Sequence, residues 1–119
     1  MPGEADVMFS VILNEAASRT AYLAGFHAAQ ALISDRTGRA AKTHKGVSAE
    51  WHRLLKHDTT IDHEMRAFLG FAYNLKAVAD YEAGPGAGVS PESAHRAIEI
   101  ARRFVARMAD LVGATGHEP

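Results

Sequence analysis

The sequence predicts an all-α protein, an antiparallel bundle of helices joined by short loops. Three observations predict it. Apolar residues recur at helical spacing along most of the chain. Sustained alternation and the Asn-Gly or Asp-Gly pairs that mark hairpins do not occur. The breaks between periodic stretches are short and rich in glycine. The 119 residues are 47% hydrophobic and 23% charged, enough for one domain whose core needs no metal or disulfide. That domain is expected over 1–112, followed by a loose tail over 113–119.

The first periodic stretch runs from about Val7 to Ser34. It is rich in alanine, has no proline, and its one glycine is Gly25. Arg19, Thr20, His27, Gln30 and Ser34 gather on one arc of the helical wheel, and apolar residues take most of the remainder. This reads as a central helix, buried on most sides, with one polar stripe. Asp35 to Val47, marked by Gly38 and Gly46, reads as a loop. Ser48 is the expected N-cap of a short helix carrying Trp51, Leu54 and Leu55, with Glu50 in its first turn. His57–Thr60 breaks it. Asp62 caps the next helix, expected to run to about Tyr81 with Met65, Phe68, Leu69, Ala72, Leu75 and Ala79 inward. The run Gly84-Pro85-Gly86-Ala87-Gly88 makes a loop. Ser90-Pro91-Glu92 restarts a helix, with serine as cap, proline at the first turn and an acid at the positive end. Ala97, Ala101, Phe104, Met108 and Leu111 form its core stripe, and the helix is expected to end near Val112. Arg96, Arg103 and Arg107 lie opposite and read, with Glu99, as a solvated face.

Composition excludes several classes of function. No cysteine occurs, which removes disulfides, thiolate metal sites and cysteine nucleophiles. The absence fits a reducing compartment, and a cytoplasmic protein is expected. A net charge of −1 supplies no global field for nucleic acid, so any such contact needs a local patch. Met1 to Asp6 lacks the basic start of a signal peptide, and Ser10 interrupts the apolar run Val7–Leu13. No apolar stretch is long enough to span a bilayer. No glycine-rich phosphate loop or nucleophile elbow is present, and no cofactor is expected. His63-Glu64 lacks the second histidine of a zinc helix, and His52, His57 and His63 are not spaced to share a face, so no metal site is expected.

Three groups of residues could carry chemistry. The segment Arg36 to Lys45 holds Arg36, Arg39, Lys42, His44 and Lys45 with no acid. Such a loop could hold phosphate through its cations and exposed backbone N–H groups; the alternative is a solvated loop. Arg19 and His27 sit on an otherwise apolar helix, where a charge needs a partner. Asp80 is the natural one. A buried polar network of Arg19, His27, Gln30, Lys76, Asp80 and Tyr81 that fixes helix register is expected there in preference to a catalytic site. Lys76 and Asp80 are spaced i, i+4 and share a face with Tyr73 and Arg66, which also suits a salt-bridged surface.

The segments Ala17-Ser18-Arg19-Thr20-Ala21-Tyr22, Phe26-His27-Ala28-Ala29-Gln30-Ala31-Leu32, Lys42-Thr43-His44-Lys45-Gly46 and Ala79-Asp80-Tyr81 together resemble the HEPN family (higher eukaryote and prokaryote nucleotide-binding). The resemblance covers about Ala16 to Leu111. It implies a bundle of four to five helices that usually dimerises. It also implies a frequent partner, a minimal nucleotidyltransferase, in toxin–antitoxin operons. Many family members are metal-independent ribonucleases that use an arginine and, four to six residues on, a histidine. Arg39 and His44 have that spacing but are read here as loop residues, whereas the family's motif opens a helix. Lys45 and Gly46 stand where some family toxins carry a tyrosine, and Lys76 stands where related chains often carry arginine. A full first helix usually precedes the alanine-rich one. Here no turn residue separates Leu13 from Glu15, so the first helix is expected to be shortened or fused to the second. A fused helix from Val7 would have about 28 residues and a length of roughly 42 Å. Either form leaves apolar surface exposed, which points to a homodimer, with exchange of N-terminal segments as one form of it.

The reading is therefore a homodimeric binding module that engages a nucleotidyltransferase-type protein, or nucleotide or RNA, through the basic segment. The alternatives are a metal-independent endoribonuclease, with Arg19, His27 and His44 as candidate catalytic groups, and a purely structural dimer.

Overall fold

The structure is a computed structural model describing residues 3–81 and 88–114. Four helices make up the described residues: α1 (Glu4–Thr37), α2 (His44–Leu54), α3 (His63–Asp80) and α4 (Pro91–Ala114). Arg19 meets Asp80 while Gly25 meets Phe68, so α1 and α3 run antiparallel. Arg103 of α4 meets Glu64 at the start of α3, while Ala94 packs with Ala79 at its end, so α4 returns antiparallel to α3.

The fused form of the first helix is the one present. α1 is a single helix of 34 residues, about 51 Å long. Helix-favouring alanines and the lack of proline carry it without a break. Asp6 accepts the Gly3 N–H at 3.2 Å at its start. It ends at Thr37, three residues later than expected, and is capped by Gly38, whose φ of 70° is the left-handed conformation that glycine adopts without strain. Asp35, Arg36 and Thr37 are thus helical, and Thr37 bonds back to the Ile33 carbonyl at 2.8 Å.

α2 also departs from expectation. It starts at His44, capped by Thr43 and not by Ser48. The Thr43 hydroxyl accepts the Gly46 N–H at 3.0 Å. Gly46 is therefore a first-turn residue, and a side chain there would crowd the capping oxygen, since a Cβ would lie 3.0 Å from it. The basic segment shrinks accordingly. Arg36 lies in the last turn of α1, His44 and Lys45 lie in the first turn of α2, and only Arg39 and Lys42 stand on the connecting loop.

α3 is capped as expected, with Asp62 accepting the Met65 N–H at 2.8 Å. Ser90 accepts the Ser93 N–H at 3.1 Å ahead of α4, which continues through Ala114, two residues past its expected end. The glycine-rich loop falls mostly on residues 82–87 and the tail mostly on 115–119; both lie outside the described residues.

The core lies where α2, α3 and α4 close on the middle of α1. Trp51, Phe68 and Phe104 are fully buried. The Trp51 ring stacks on Phe104 with centroids 5.1 Å apart, and Phe68 lies 5.0 Å from Phe104. The indole N–H donates to Met108 sulfur at 3.2 Å. α1 is not buried on most sides. Residues 4–13 are all exposed, and so are Ala24 and Ala31 on the flank toward α4. Its first buried residue is Ser18, which donates to the Asn14 carbonyl at 2.9 Å.

Candidate functional site

The connection between α1 and α2 descends along α1, held by Gln30, whose side-chain amide donates to the Ala41 carbonyl at 2.9 Å. His27 in turn meets Gln30 through Nδ1 at 2.9 Å. These two residues secure the basic loop. They make no contact with Arg19, and His27 is exposed.

Beneath the loop lies a cleft of about 580 Å³, lined by Ile33, Thr37, Arg39, Ala41, Glu50 and Arg53 among others. Glu50 brings an acid into a region that has none in sequence. It pairs with Arg53 at 2.5 Å, and that hydrogen bond holds its carboxyl below the usual range, with the charges of Arg53 and Arg39 adding to it. Arg53 also lines a shallower cleft of about 600 Å³ with His52, Lys56 and Arg66. The basic surface is therefore longer than the segment Arg36–Lys45. It continues along the outer face of α2 through Lys45 and Arg53, eight residues apart on one side, and reaches Lys56 in the turn after the helix. That periodicity is legible in the sequence once α2 is known to begin at His44. Two of these cations are engaged: Arg53 by Glu50, and Arg66, whose fork is occupied by the Leu55 and Asp58 carbonyls at 3.1 and 2.7 Å. Lys42 and Lys45 are exposed and have no ion-pair partner among the described residues.

His44, the first residue of α2, sits at the other side of this loop. Its ring stacks on Tyr73, with centroids 3.9 Å apart and planes inclined at 17°. Its Nδ1 is 2.9 Å from the Tyr22 hydroxyl. Burial lowers the His44 pKa, and burial followed by the neighbouring Tyr73 pushes Tyr22 up to about 12. Both are neutral at pH 7. A single hydrogen bond thus joins the Tyr22 hydroxyl to Nδ1, with the neutral ring's tautomer setting which group donates. Tyr73 is 42% exposed, so the pair presents an aromatic surface beside Lys42 and Lys45.

Arg19 lies one helical turn below Tyr22. Its Nε donates to Asp80 at 2.8 Å and its Nη2 donates to the Ala79 carbonyl at 2.8 Å. Lys76 reaches the second Asp80 oxygen at 2.6 Å. Arg19, followed by Lys76, holds the Asp80 carboxyl below the usual range. The arginine thereby ties the C-terminal end of α3 to α1, where a cation also suits the helix dipole.

The expected buried network is corrected on two counts. Arg19 and Asp80 side chains are 40% and 43% exposed, and Tyr81 is exposed. The other five residues divide into an Arg19–Asp80–Lys76 clasp and a His27–Gln30 pair, because His27 meets Gln30 on the loop side. The arginine stripe of α4 is not simply solvated either. Arg103 bridges Asp62 and Glu64 at 2.6 Å each, Arg96 meets Glu64 at 2.9 Å, and Arg107 donates to Thr60. Among the described residues no cluster of histidines and acids could hold a metal ion, and no helix is long and apolar enough to cross a membrane.

The fold and this surface define a small all-α module with a basic, aromatic-edged face. The profile described as HEPN domain matches residues 4–111, and the chain belongs to that family. The family supports a nucleotide- or RNA-related or toxin-like module. Comparison with curated proteins finds no match, and none is found among solved structures.

Proposed function

We propose that this chain is a homodimeric HEPN binding module that holds nucleotide or RNA on the basic face built from Arg36, Arg39, Lys42, His44, Lys45 and Arg53. In a toxin–antitoxin-like setting it would present that face together with a nucleotidyltransferase-type partner. One observation carries the choice of binding over catalysis. The three candidate catalytic groups are held by three different sets of neighbours: Arg19 by the end of α3, His27 by Gln30, and His44 by Tyr22 and Tyr73. By contrast, Lys42 and Lys45 remain exposed beside an aromatic stack, the combination that binds phosphates and bases without reading sequence.

One observation favours the endoribonuclease reading. His44 opens a helix, as the family's motif does, and Arg39 precedes it at the family's spacing. Arg39 nevertheless lines the cleft of Glu50 and Arg53, while His44 packs on the tyrosines. A dimer could bring one copy's arginine to the other's histidine.

The experiment is incubation of the purified chain with a single-stranded RNA pool in chelator, followed by separation of bound, free and shortened RNA. Binding of intact RNA, weakened at least tenfold by combined Arg39→Ala, Lys42→Ala and Lys45→Ala, supports the proposal. Shortened RNA that disappears with His44→Ala assigns the ribonuclease reading instead. Unchanged binding by the triple variant removes the loop from the account. Co-purification with the product of the adjacent gene tests the protein partner separately.

A further inference from the structure

The N-terminal third of α1 carries apolar surface that its own bundle does not cover. Val7, Met8, Phe9, Val11, Ile12 and Leu13 are between 40% and 63% exposed. At about 100° per residue these six occupy roughly 240° of the helix circumference. An amphipathic surface helix hides one stripe; a helix apolar on most sides is stable only when other apolar surface surrounds it. Hydrogen bonding is continuous from Glu4 to Thr37, so this arm projects from the bundle and does not fold back on it. The bundle begins where Val11 and Glu15 approach Gly88.

The same molecule carries an open apolar groove along the α1–α4 seam. One stretch, of about 470 Å³, is lined by Thr20, Ala24 and Ile98 among others. The next, of about 430 Å³, is lined by Ala28, Ala31 and Ala109 among others. Val105 belongs to both and joins them. The α1 side of the groove is built from small side chains, so a neighbouring helix can approach closely there.

We propose that the arm Glu4–Leu13 of each copy lies in the α1–α4 groove of a second copy, forming a closed two-fold dimer. The inference rests on the self-association proposed above and specifies how it is made. Lengths agree: the arm is about 15 Å long and the groove, from Thr20 to Ala31, about 17 Å. Sizes agree as well. With the two α1 helices antiparallel and the axis near Ser18, Leu13 falls over Ala24 and Phe9 over Ala28, large against small. Each contact occurs twice, which closes the assembly and leaves no free arm. The strip is about 38 Å long over Asp6–Ala31 and two helix diameters wide. It buries on the order of 800 Å² per copy, the size of a stable dimer interface.

The test uses the full chain, which has no native cysteine. A Leu13→Cys chain is mixed with an Ala24→Cys chain and oxidised. Both positions are exposed in the single copy, so neither change disturbs the core. The arrangement predicts a disulfide-linked pair containing one of each chain and little linkage of either chain alone. A second variant, Phe9→Glu with Leu13→Glu, should raise the dimer dissociation constant at least about tenfold in sedimentation while leaving helix content unchanged. A wild-type chain that sediments as a monomer at micromolar concentration overturns both the dimer and the arm exchange. A dimer that survives both glutamates, or that gives no mixed disulfide, overturns the arm exchange and leaves self-association standing by another surface.

Discussion

At Gly25, a single methyl group decides how closely α1 and α3 can pack. A Cβ placed there would lie 2.2 Å from the Phe68 ring, and Phe68 is fully buried. Alanine is the better helix former by about 1 kcal/mol, yet Gly25→Ala should destabilise the protein by about 1–3 kcal/mol through overpacking. Gly70 is the control. It lies within α3, and a Cβ there meets nothing within 4 Å, so Gly70→Ala should stabilise by up to about 1 kcal/mol. Urea denaturation of both variants checks the pair. His44 supplies the pH prediction. Burial lowers its pKa below the ordinary 6.5, so the unfolded chain binds the proton more readily than the folded one. Its contribution to stability is complete above pH 6.5 and is lost as pH falls through the folded value. Tyr22 acts in the opposite sense: its pKa is raised to about 12, so its contribution is complete below pH 10 and is lost as pH rises through about 12. Proton titration followed by NMR should find His44 neutral at pH 7. Tyr22→Phe should cost about 1 kcal/mol of stability by removing the hydrogen bond to His44. The sequence showed that His44 was unusual and did not show why. Its neighbours are 22 and 29 positions away, beyond the reach of any local pattern.

At the scale of elements, the helices were legible where their ends are chemically explicit. Asp62 and Ser90-Pro91 announce α3 and α4, and both caps form. Gly38 and Gly46 looked alike in sequence and act differently: one ends α1 with a positive φ, the other sits inside α2 beneath the Thr43 hydroxyl. Thr43→Ala should therefore cost about 1 kcal/mol and fray the start of α2, seen as faster amide exchange at Lys45 and Gly46. The clasp between α1 and α3 is electrostatic and exposed. Asp80→Asn should lower the melting temperature at neutral pH, because the carboxylate is held below its ordinary 3.8 by Arg19 and Lys76. That contribution exists above pH 3.8 and is lost as pH falls toward the folded value, so the gap between wild type and variant should close below about pH 4 and shrink in high salt.

For the whole molecule, the periodicity of the sequence was enough to define an all-α bundle. It did not define what surrounds α1, because an alanine-rich helix with apolar residues on most sides fits either a buried core helix or one that associates. The structure answers for the middle of α1, which is covered, and leaves the ends of the argument at the arm and the α4 flank, which are not. The basic face was half legible. Arg39, Lys42 and Lys45 stand out as a cluster, whereas Arg53 and Lys56 join them only when α2 is placed. A face of this kind, on a chain whose net charge is −1, makes binding local and salt-dependent.

The most direct test of the central claim is the salt dependence of affinity for a single-stranded RNA, measured with the RNA recovered intact. If Arg39, Lys42 and Lys45 each neutralise one phosphate, log affinity should fall steeply against log salt, and the slope should become shallower by about 2 in the triple alanine variant. Affinity indifferent to salt, or a slope unchanged by removing the three cations, would contradict the account.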